Sequence, residues 1–265
     1  MDDRELPFSE HLTELRSRLL VCVGTVLAFT VGTYAFKQRL FDLLTRPMQA
    51  AFKIAHQINP EVPERAFKMA FKDPIEPFFT YLKVAVLAAV FLSVPVLLYQ
   101  AWMFIAPGLY RHERKATAPF IVVSTAMFIG GAAFCYATVL PYGYGYLLTY
   151  AGEVYVPTLM MREYLSLTAK LLIAFGLVFE VPVFIIFLAR LGMVTPDGLV
   201  RYRKYAWVLV FVVAAVMTPP DVITQLFLAA PLVLLYEVSI YGARLFGRPS
   251  RWASAADEES DDAEV

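Results

Sequence analysis

The stretch that decides the fold is LLIAFGLVFEVPVFIIFLA, Leu171–Ala189, which lies between Lys170 and Arg190 and has one charged residue, Glu180, at its midpoint. As an α-helix that rises about 1.5 Å per residue, these 19 residues cross the hydrocarbon core of a bilayer, which is about 30 Å thick. An ionised carboxylate without a partner is costly at that depth. We therefore expect Glu180 to be protonated, paired or turned toward a polar cavity.

The carboxyl group of Glu180 has two interpretations. It is either a helix-packing residue that hydrogen-bonds to a neighbouring span, or the point at which a polar or charged partner enters the membrane. We favour the second interpretation because ionisable residues inside membrane spans are rare and commonly functional. The residues alone leave both open.

The composition is that of a membrane protein with several spans. Of 265 residues, 59% are hydrophobic and 17% are charged, whereas about 25% are charged in ordinary soluble domains. Cys22 and Cys135 lie inside apolar runs, and the three histidines are far apart in the sequence. The chain therefore predicts no disulfide framework, no metal site and no cofactor, and we expect no nucleic-acid partner.

Charge-free runs predict an all-α polytopic membrane protein with six transmembrane helices in one domain, residues 1–245. The predicted spans are 19–36, 84–102, 118–140, 168–189, 205–217 and 222–240. The last two are short: Tyr205–Met217 has 13 residues, about 20 Å of helix, so a buried re-entrant hairpin is the alternative. Pro141 and the aromatic residues after it are predicted to mark the exit of the third span. Three prolines within spans are predicted to bend the helices into a concave bundle: Pro95, Pro182 and Pro231.

Lysine and arginine predict the orientation of the chain. Thirteen of these residues lie in the amino terminus, in the tail, and in the connections from the second span to the third and from the fourth span to the fifth. Eight lie on the other side of the membrane, so both termini are expected in the cytoplasm. Seven of those eight lie in the first external loop and argue against this orientation. That loop, residues 37–73, is predicted to form short helices along the membrane surface. Residues 246–265 are predicted to form a disordered acidic cytoplasmic tail.

Two segments lie on the predicted cytoplasmic side. Near the amino terminus, Glu10, Glu14 and Arg18 recur every four residues, a spacing that brings them to one face of a helix. Between the second and third spans, FIAPGLYRHERK (104–115) has the composition of a basic loop next to the membrane. Without further information, these segments predict a solvated interfacial helix and a basic loop.

Seven short segments stand out in order along the chain. They are HLTELRSR (11–18), EPFF (76–79), YQAW (99–102), FIAPGLYRHER (104–114), FGLVFEVP (175–182), RKY (203–205) and TPPDV (218–222). Together they resemble the TatC family of the twin-arginine protein translocase. The resemblance covers about residues 8–242, whereas residues 50–72 and the tail carry no family signal.

The resemblance implies a non-enzymatic, multi-pass protein of the bacterial cytoplasmic (inner) membrane with both termini in the cytoplasm. With single-span TatA and TatB partners, in an oligomeric complex in the lipid bilayer, it would export folded proteins that carry twin-arginine signal peptides, driven by the proton-motive force. Three groups of matching positions follow from the resemblance: Glu14, Phe104 and Glu113 for signal-peptide binding; Glu180, Thr218 and Gln225 for an intramembrane polar patch that docks partner helices; and Arg16, Pro47 and Asp221 for other functions.

The chemistry of these positions suits that ligand. A planar guanidinium pairs bidentately with a carboxylate, which explains why lysine is a poor substitute for arginine. Phe104 can supply an apolar or cation–π contact. Among other functions, a proton-coupled small-solute transporter also needs an intramembrane carboxylate, but it should show inverted repeats or several converging polar residues. An intramembrane hydrolase is a weaker alternative, because the chain has neither a G-x-S-x-G nor an H-E-x-x-H motif.

Overall fold

The computed structural model of the chain describes residues 8–60, 62, 69–105, 117–149, 158–217 and 222–247. These residues form eight α-helices: α1 (Phe8–Tyr34), α2 (Lys37–Ile58), α3 (Glu76–Ile105), α4 (Thr117–Phe134), α5 (Leu140–Leu148), α6 (Met161–Arg190), α7 (Pro196–Met217) and α8 (Val222–Phe246). A π-helical turn, Cys135–Val139, joins α4 to α5, and strands β1 (Met69–Ala70) and β2 (Leu159–Met160) have two residues each. The predicted acidic tail lies almost entirely outside the described residues.

Five helical segments among the described residues are long and apolar enough to cross a membrane: Leu12–Tyr34, Glu76–Phe104, Pro119–Leu148, Met161–Arg190 and Val222–Phe246. They confirm the predicted all-α membrane class. The predicted fifth span lies in α7, whose 22 residues begin with a charged segment and end with the apolar run Tyr205–Met217. The count of six spans and the single domain stay predictions. Several helices are longer than their charge-free runs, because a charged side chain ends such a run without breaking the backbone hydrogen bonds.

The internal contacts divide the chain into two compact units. Unit one comprises residues 1–129 and 140–170, and unit two comprises residues 130–139 and 171–265.

In unit one, α1 and α3 pack side by side in opposite directions. The Nη1 atom of Arg18 donates to Oε1 of Gln100 (3.1 Å), and the hydroxyl of Thr33 donates to the carbonyl oxygen of Ala85 (2.8 Å). The two contacts are fifteen residues apart on each helix, so the pairing is antiparallel. The start of α1 therefore lies beside the end of α3.

The first half of the predicted external loop is one helix of 22 residues, α2, instead of several short helices. Its apolar positions recur on one face, and that face packs against α3 and α5, with Met48, Ala51 and Ala55 fully buried. The hydroxyl of Tyr164 donates to the carbonyl oxygen of Leu44 (2.7 Å) and joins α6 to the same core. Burial of a whole helical face against the protein stabilises a continuous helix where the loop composition alone suggested breaks.

The helix of the third predicted span does not end at Pro141. It continues through this proline and the aromatic residues after it to Leu148, and the predicted exit from the membrane at Pro141 stays a prediction. Proline has no N–H and its ring collides with the carbonyl group four residues earlier in a regular α-helix. The π-helical turn Cys135–Val139 lies directly before Pro141, where the wider turn accommodates the ring and lets the helix continue.

In unit two, α7 and α8 pack in opposite directions through three polar contacts. They are Gln225 Nε2 to the carbonyl oxygen of Phe211 (3.0 Å), Arg203 Nη2 to Glu237 Oε2 (2.9 Å), and the Tyr236 hydroxyl to the carbonyl oxygen of Leu199 (2.8 Å). Helix α8 also approaches α6 closely, because Gly242 lies directly against Ile186. These contacts position the described polar residues of unit two.

Candidate functional site

The start of α1 presents a carboxylate that is already bound to a guanidinium. Oε1 of Glu14 accepts hydrogen bonds from Nε (2.9 Å) and Nη2 (2.5 Å) of Arg18, one helical turn later. The spacing of four residues predicted that these two side chains share a helix face. Gln100, the other hydrogen-bond partner of Arg18, was not predicted as a site residue, although it lies in the segment YQAW of the resemblance.

Phe104 lies at the same end of unit one. It follows Gln100 by four residues on α3 and therefore belongs to the same helix face. We call Glu14, Arg18, Gln100 and Phe104 the α1–α3 surface. Glu113, the third predicted signal-peptide contact, lies outside the described residues, so the structure brings together two of the three predicted positions.

Arg16 and Pro47 occupy different environments. Arg16 is exposed on α1. Pro47 is fully buried inside α2, next to Met48 in the core of unit one. Burial among apolar side chains points to a packing role for this proline, since the helix continues through it.

Glu180 lies at the midpoint of the apolar run Leu171–Ala189 in α6 and directly follows Phe179, a member of an aromatic cluster with Phe134 and Phe175. Its neighbour Phe179 stacks obliquely on Phe134, with ring centroids 5.9 Å apart. Gly131 on α4 faces the same place, since a Cβ atom there would lie 2.6 Å from the carbonyl oxygen of Phe175 and 2.6 Å from Cγ of Phe179. At Gly131, α4 therefore lies directly against the backbone of α6 at Phe175 and against the side chain of Phe179. The carboxylate is half-buried, and its Oε1 atom has no contact with solvent.

Gln225 lies where α7 and α8 meet. Its side chain borders a shallow cavity of about 510 Å³ along α7, lined also by Trp207, Val208 and Phe211. These three side chains are exposed in the described structure, as expected for a helix face that contacts lipid or another helix. Lys204 closes the end of the cavity that lies toward the charged half of α7.

The structure thus places the described site residues in two groups. Glu14 and Phe104 lie at one end of unit one, and Glu180 and Gln225 lie in unit two. Thr218 and Asp221 fall between α7 and α8, outside the described residues. Two residues that the sequence reasoning did not assign have clear structural roles: Gln100, bound to Arg18, and Glu76, which accepts hydrogen bonds from the backbone N–H groups of Lys72 and Arg162.

Comparison with known proteins identifies the family. The family model described as Sec-independent protein translocase protein (TatC) matches residues 10–231 of the chain. The protein of that name from Desulforapulum autotrophicum is 44% identical over 252 residues, which cover 93% of this chain and 87% of the relative. The chain belongs to the TatC family.

Other TatC proteins and a solved structure agree with this assignment. The TatC protein of Escherichia coli O6:H1 is 37% identical over 91% of this chain and 89% of its own length. A crystal structure of the twin-arginine translocase receptor TatC superimposes with a TM-score of 0.75 at 35% identity, covering 90% of this chain and 100% of that chain. The chain is therefore a multi-pass bacterial membrane protein of the translocase family, and a small-solute transporter is not supported.

Proposed function

We propose that this chain is the receptor subunit of a twin-arginine translocase. It binds the signal peptides of folded substrate proteins at the α1–α3 surface and, with TatA and TatB partners, exports those proteins using the proton-motive force. Family membership and the match to a solved translocase receptor support this function. The observation that supports this binding site is that the Glu14 carboxylate binds a guanidinium group beside the last turn of α3.

The ligand chemistry follows from this surface. An arginine side chain offers up to two parallel N–H groups to a carboxylate, and a charge-assisted pair of this kind is shorter and stronger than a neutral hydrogen bond. Glu14 supplies one carboxylate, and we propose that Glu113 supplies the second, so that each binds one of the paired arginines. Half-buried Phe104 contributes an apolar contact, or a cation–π contact, to the same peptide.

We propose that partner helices dock on unit two. The exposed side chains of Trp207, Val208 and Phe211 offer an apolar face to a single-span TatA or TatB helix, and Gln225 adds a polar contact at its edge. Thr218 and Glu180 belong to the same proposed polar patch. Lipid is the competing occupant of this face, since a membrane helix exposes apolar residues to the bilayer in any case.

A binding measurement tests the proposed function. The purified chain in lipid nanodiscs is titrated with a labelled twin-arginine peptide, and binding is followed by fluorescence anisotropy. Glu14→Ala and Glu113→Ala should each lose about 1.5–3 kcal/mol, the usual contribution of a hydrogen bond to a charged group. Asp42→Ala removes an exposed carboxylate from α2 and should bind as the wild type does. Wild-type affinity in the double variant Glu14→Ala, Glu113→Ala would refute the proposal.

A further inference from the structure

Arg18 occupies the carboxylate that the proposed function assigns to the ligand. Its Nε and Nη2 atoms both donate to Oε1 of Glu14, and its Nη1 atom donates to Oε1 of Gln100. The side chains of Arg18 and Glu14 are only 20% and 28% exposed, so salt and water screen this pair less than a fully exposed one. Gln100, on a different helix, fixes the orientation of the guanidinium.

This contact conflicts with a bidentate pair between Glu14 and a peptide arginine. A bidentate pair uses both oxygens of the carboxylate, and Oε1 of Glu14 already accepts two hydrogen bonds from Arg18. An incoming guanidinium can therefore form the pair only after Arg18 leaves Glu14. Because Gln100 keeps Arg18 pre-oriented, Arg18 loses little conformational entropy when it holds the carboxylate and competes effectively.

We propose that Arg18 competes with the signal peptide for Glu14 and so lowers the affinity of the receptor site, an inference that rests on the proposed function. A peptide arginine has the same planar guanidinium group as Arg18, so it can form with Glu14 the hydrogen bonds that Arg18 gives up. A peptide lysine brings a compact ammonium group that cannot reproduce both hydrogen bonds. Arg18 must leave Glu14 before either side chain pairs with it, so it lowers both affinities by the same factor, and the preference for arginine comes from the ligand alone.

The test compares a twin-arginine peptide with its twin-lysine counterpart on the full chain in nanodiscs. Arg18→Gln should tighten binding of the arginine peptide by about fivefold, near the upper end of the range for ion pairs at protein surfaces. It should tighten binding of the lysine peptide by the same factor, so that the ratio of the two dissociation constants stays unchanged. Gln100→Ala should shift both affinities in the same direction by smaller factors, because Arg18 is then less well oriented.

Two variants separate displacement from a simple change of charge. Arg18→Lys keeps the positive charge but loses the planar guanidinium group, so it should also tighten binding of the arginine peptide. Arg39→Gln removes an exposed arginine from α2 and should change neither affinity. If Arg18→Gln and Arg18→Lys bind both peptides as the wild type does, or more weakly, Arg18 is not a competitor and the inference is overturned.

Glu14→Ala distinguishes this failure from a failure of the proposed function. If Glu14→Ala weakens binding while neither Arg18 variant strengthens it, the receptor site stands and only the competition is refuted. If Glu14→Ala binds the arginine peptide as tightly as the wild type, Glu14 is not the docking carboxylate, and both proposals are overturned.

Discussion

Glu76, the first residue of α3, accepts a hydrogen bond at Oε1 from the backbone N–H of Arg162, the second residue of α6 (3.0 Å). Its other oxygen, Oε2, accepts from the backbone N–H of Lys72 (3.0 Å). Lys72 and Arg162 each follow the end of a strand by two residues, and the strands pair in parallel, Met69 with Leu159 and Ala70 with Met160. The Glu76 carboxylate therefore binds the backbone just after both strands.

Replacing Glu76 with Gln should loosen this pairing. A carboxamide keeps one acceptor oxygen but turns an N–H₂ group toward the second backbone donor, so one of the two hydrogen bonds is lost. Hydrogen exchange at residues 69–70 and 159–160 should become faster than in the wild type. Glu163→Gln, an exposed carboxyl next to Arg162, is the control and should leave the exchange unchanged. Equal exchange in Glu76→Gln and the wild type would show that the strands do not depend on the carboxylate.

The pair Glu76 and Arg162 also shows where sequence reasoning stops. Charge-free runs predicted the membrane class, and a spacing of four residues predicted that Glu14 and Arg18 share a helix face, because both signals are local. Pairing of two-residue strands 90 positions apart leaves no periodic pattern. Gln100 was missed for the same reason, since its partner lies on another helix. The π-helical turn before Pro141 was not predicted either, because no local rule for proline indicates it.

Gly131 should tolerate no side chain. A Cβ atom at this position would lie 2.6 Å from the carbonyl oxygen of Phe175, which is backbone and cannot move aside cheaply. Gly131→Ala should lower the free energy of unfolding by about 1–3 kcal/mol, the usual cost of overpacking. Gly130→Ala is a matched control, because nothing lies within 4 Å of its Cβ position and alanine favours a helix. Thermal unfolding in detergent measures both, and equal melting temperatures would contradict the close contact of α4 and α6.

The ion pair between Arg203 and Glu237 should stabilise the packing of α7 against α8. Their nitrogen–oxygen distance is 2.9 Å and both side chains are partly exposed, so we expect a coupling energy of about 1 kcal/mol. Arg203→Glu should lower the melting temperature, and adding Glu237→Arg should restore most of the loss. Arg201→Gln, an exposed arginine on the same helix, serves as the control. A double-mutant cycle with no coupling would show that the pair contributes nothing to this packing.

The proposed orientation has its own test. Accessible cysteines at Arg4 and Ser254 should react with a membrane-impermeant reagent only from the cytoplasm, and one at Asn59 only from outside. The background variant lacks Cys22 and Cys135, so that only the introduced thiol reacts. Labelling of Asn59 from the cytoplasm would invert the orientation and show that the seven basic residues of the first loop outweigh the thirteen elsewhere.

Glu180 is the position where packing, docking and proton transfer predict different results. The carboxyl is half-buried at the midpoint of the run Leu171–Ala189, where no other residue can titrate, so this run alone provides no proton relay. If the residue docks a partner helix, Glu180→Gln keeps a hydrogen bond and should export a folded twin-arginine substrate normally. Glu180→Ala should then reduce co-purification of TatB while the chain itself stays folded, since removing a costly buried carboxyl need not destabilise it.

The alternatives for Glu180 give other patterns in the same two assays. A residue that only packs within the chain would lower the melting temperature of Glu180→Ala and leave TatB co-purification intact in the folded fraction. A residue that must ionise or carry a proton would abolish export in Glu180→Gln even though the complex assembles. We expect export by Glu180→Gln and loss of TatB from Glu180→Ala, because a lone carboxyl near the middle of a span binds a partner more readily than it relays a proton.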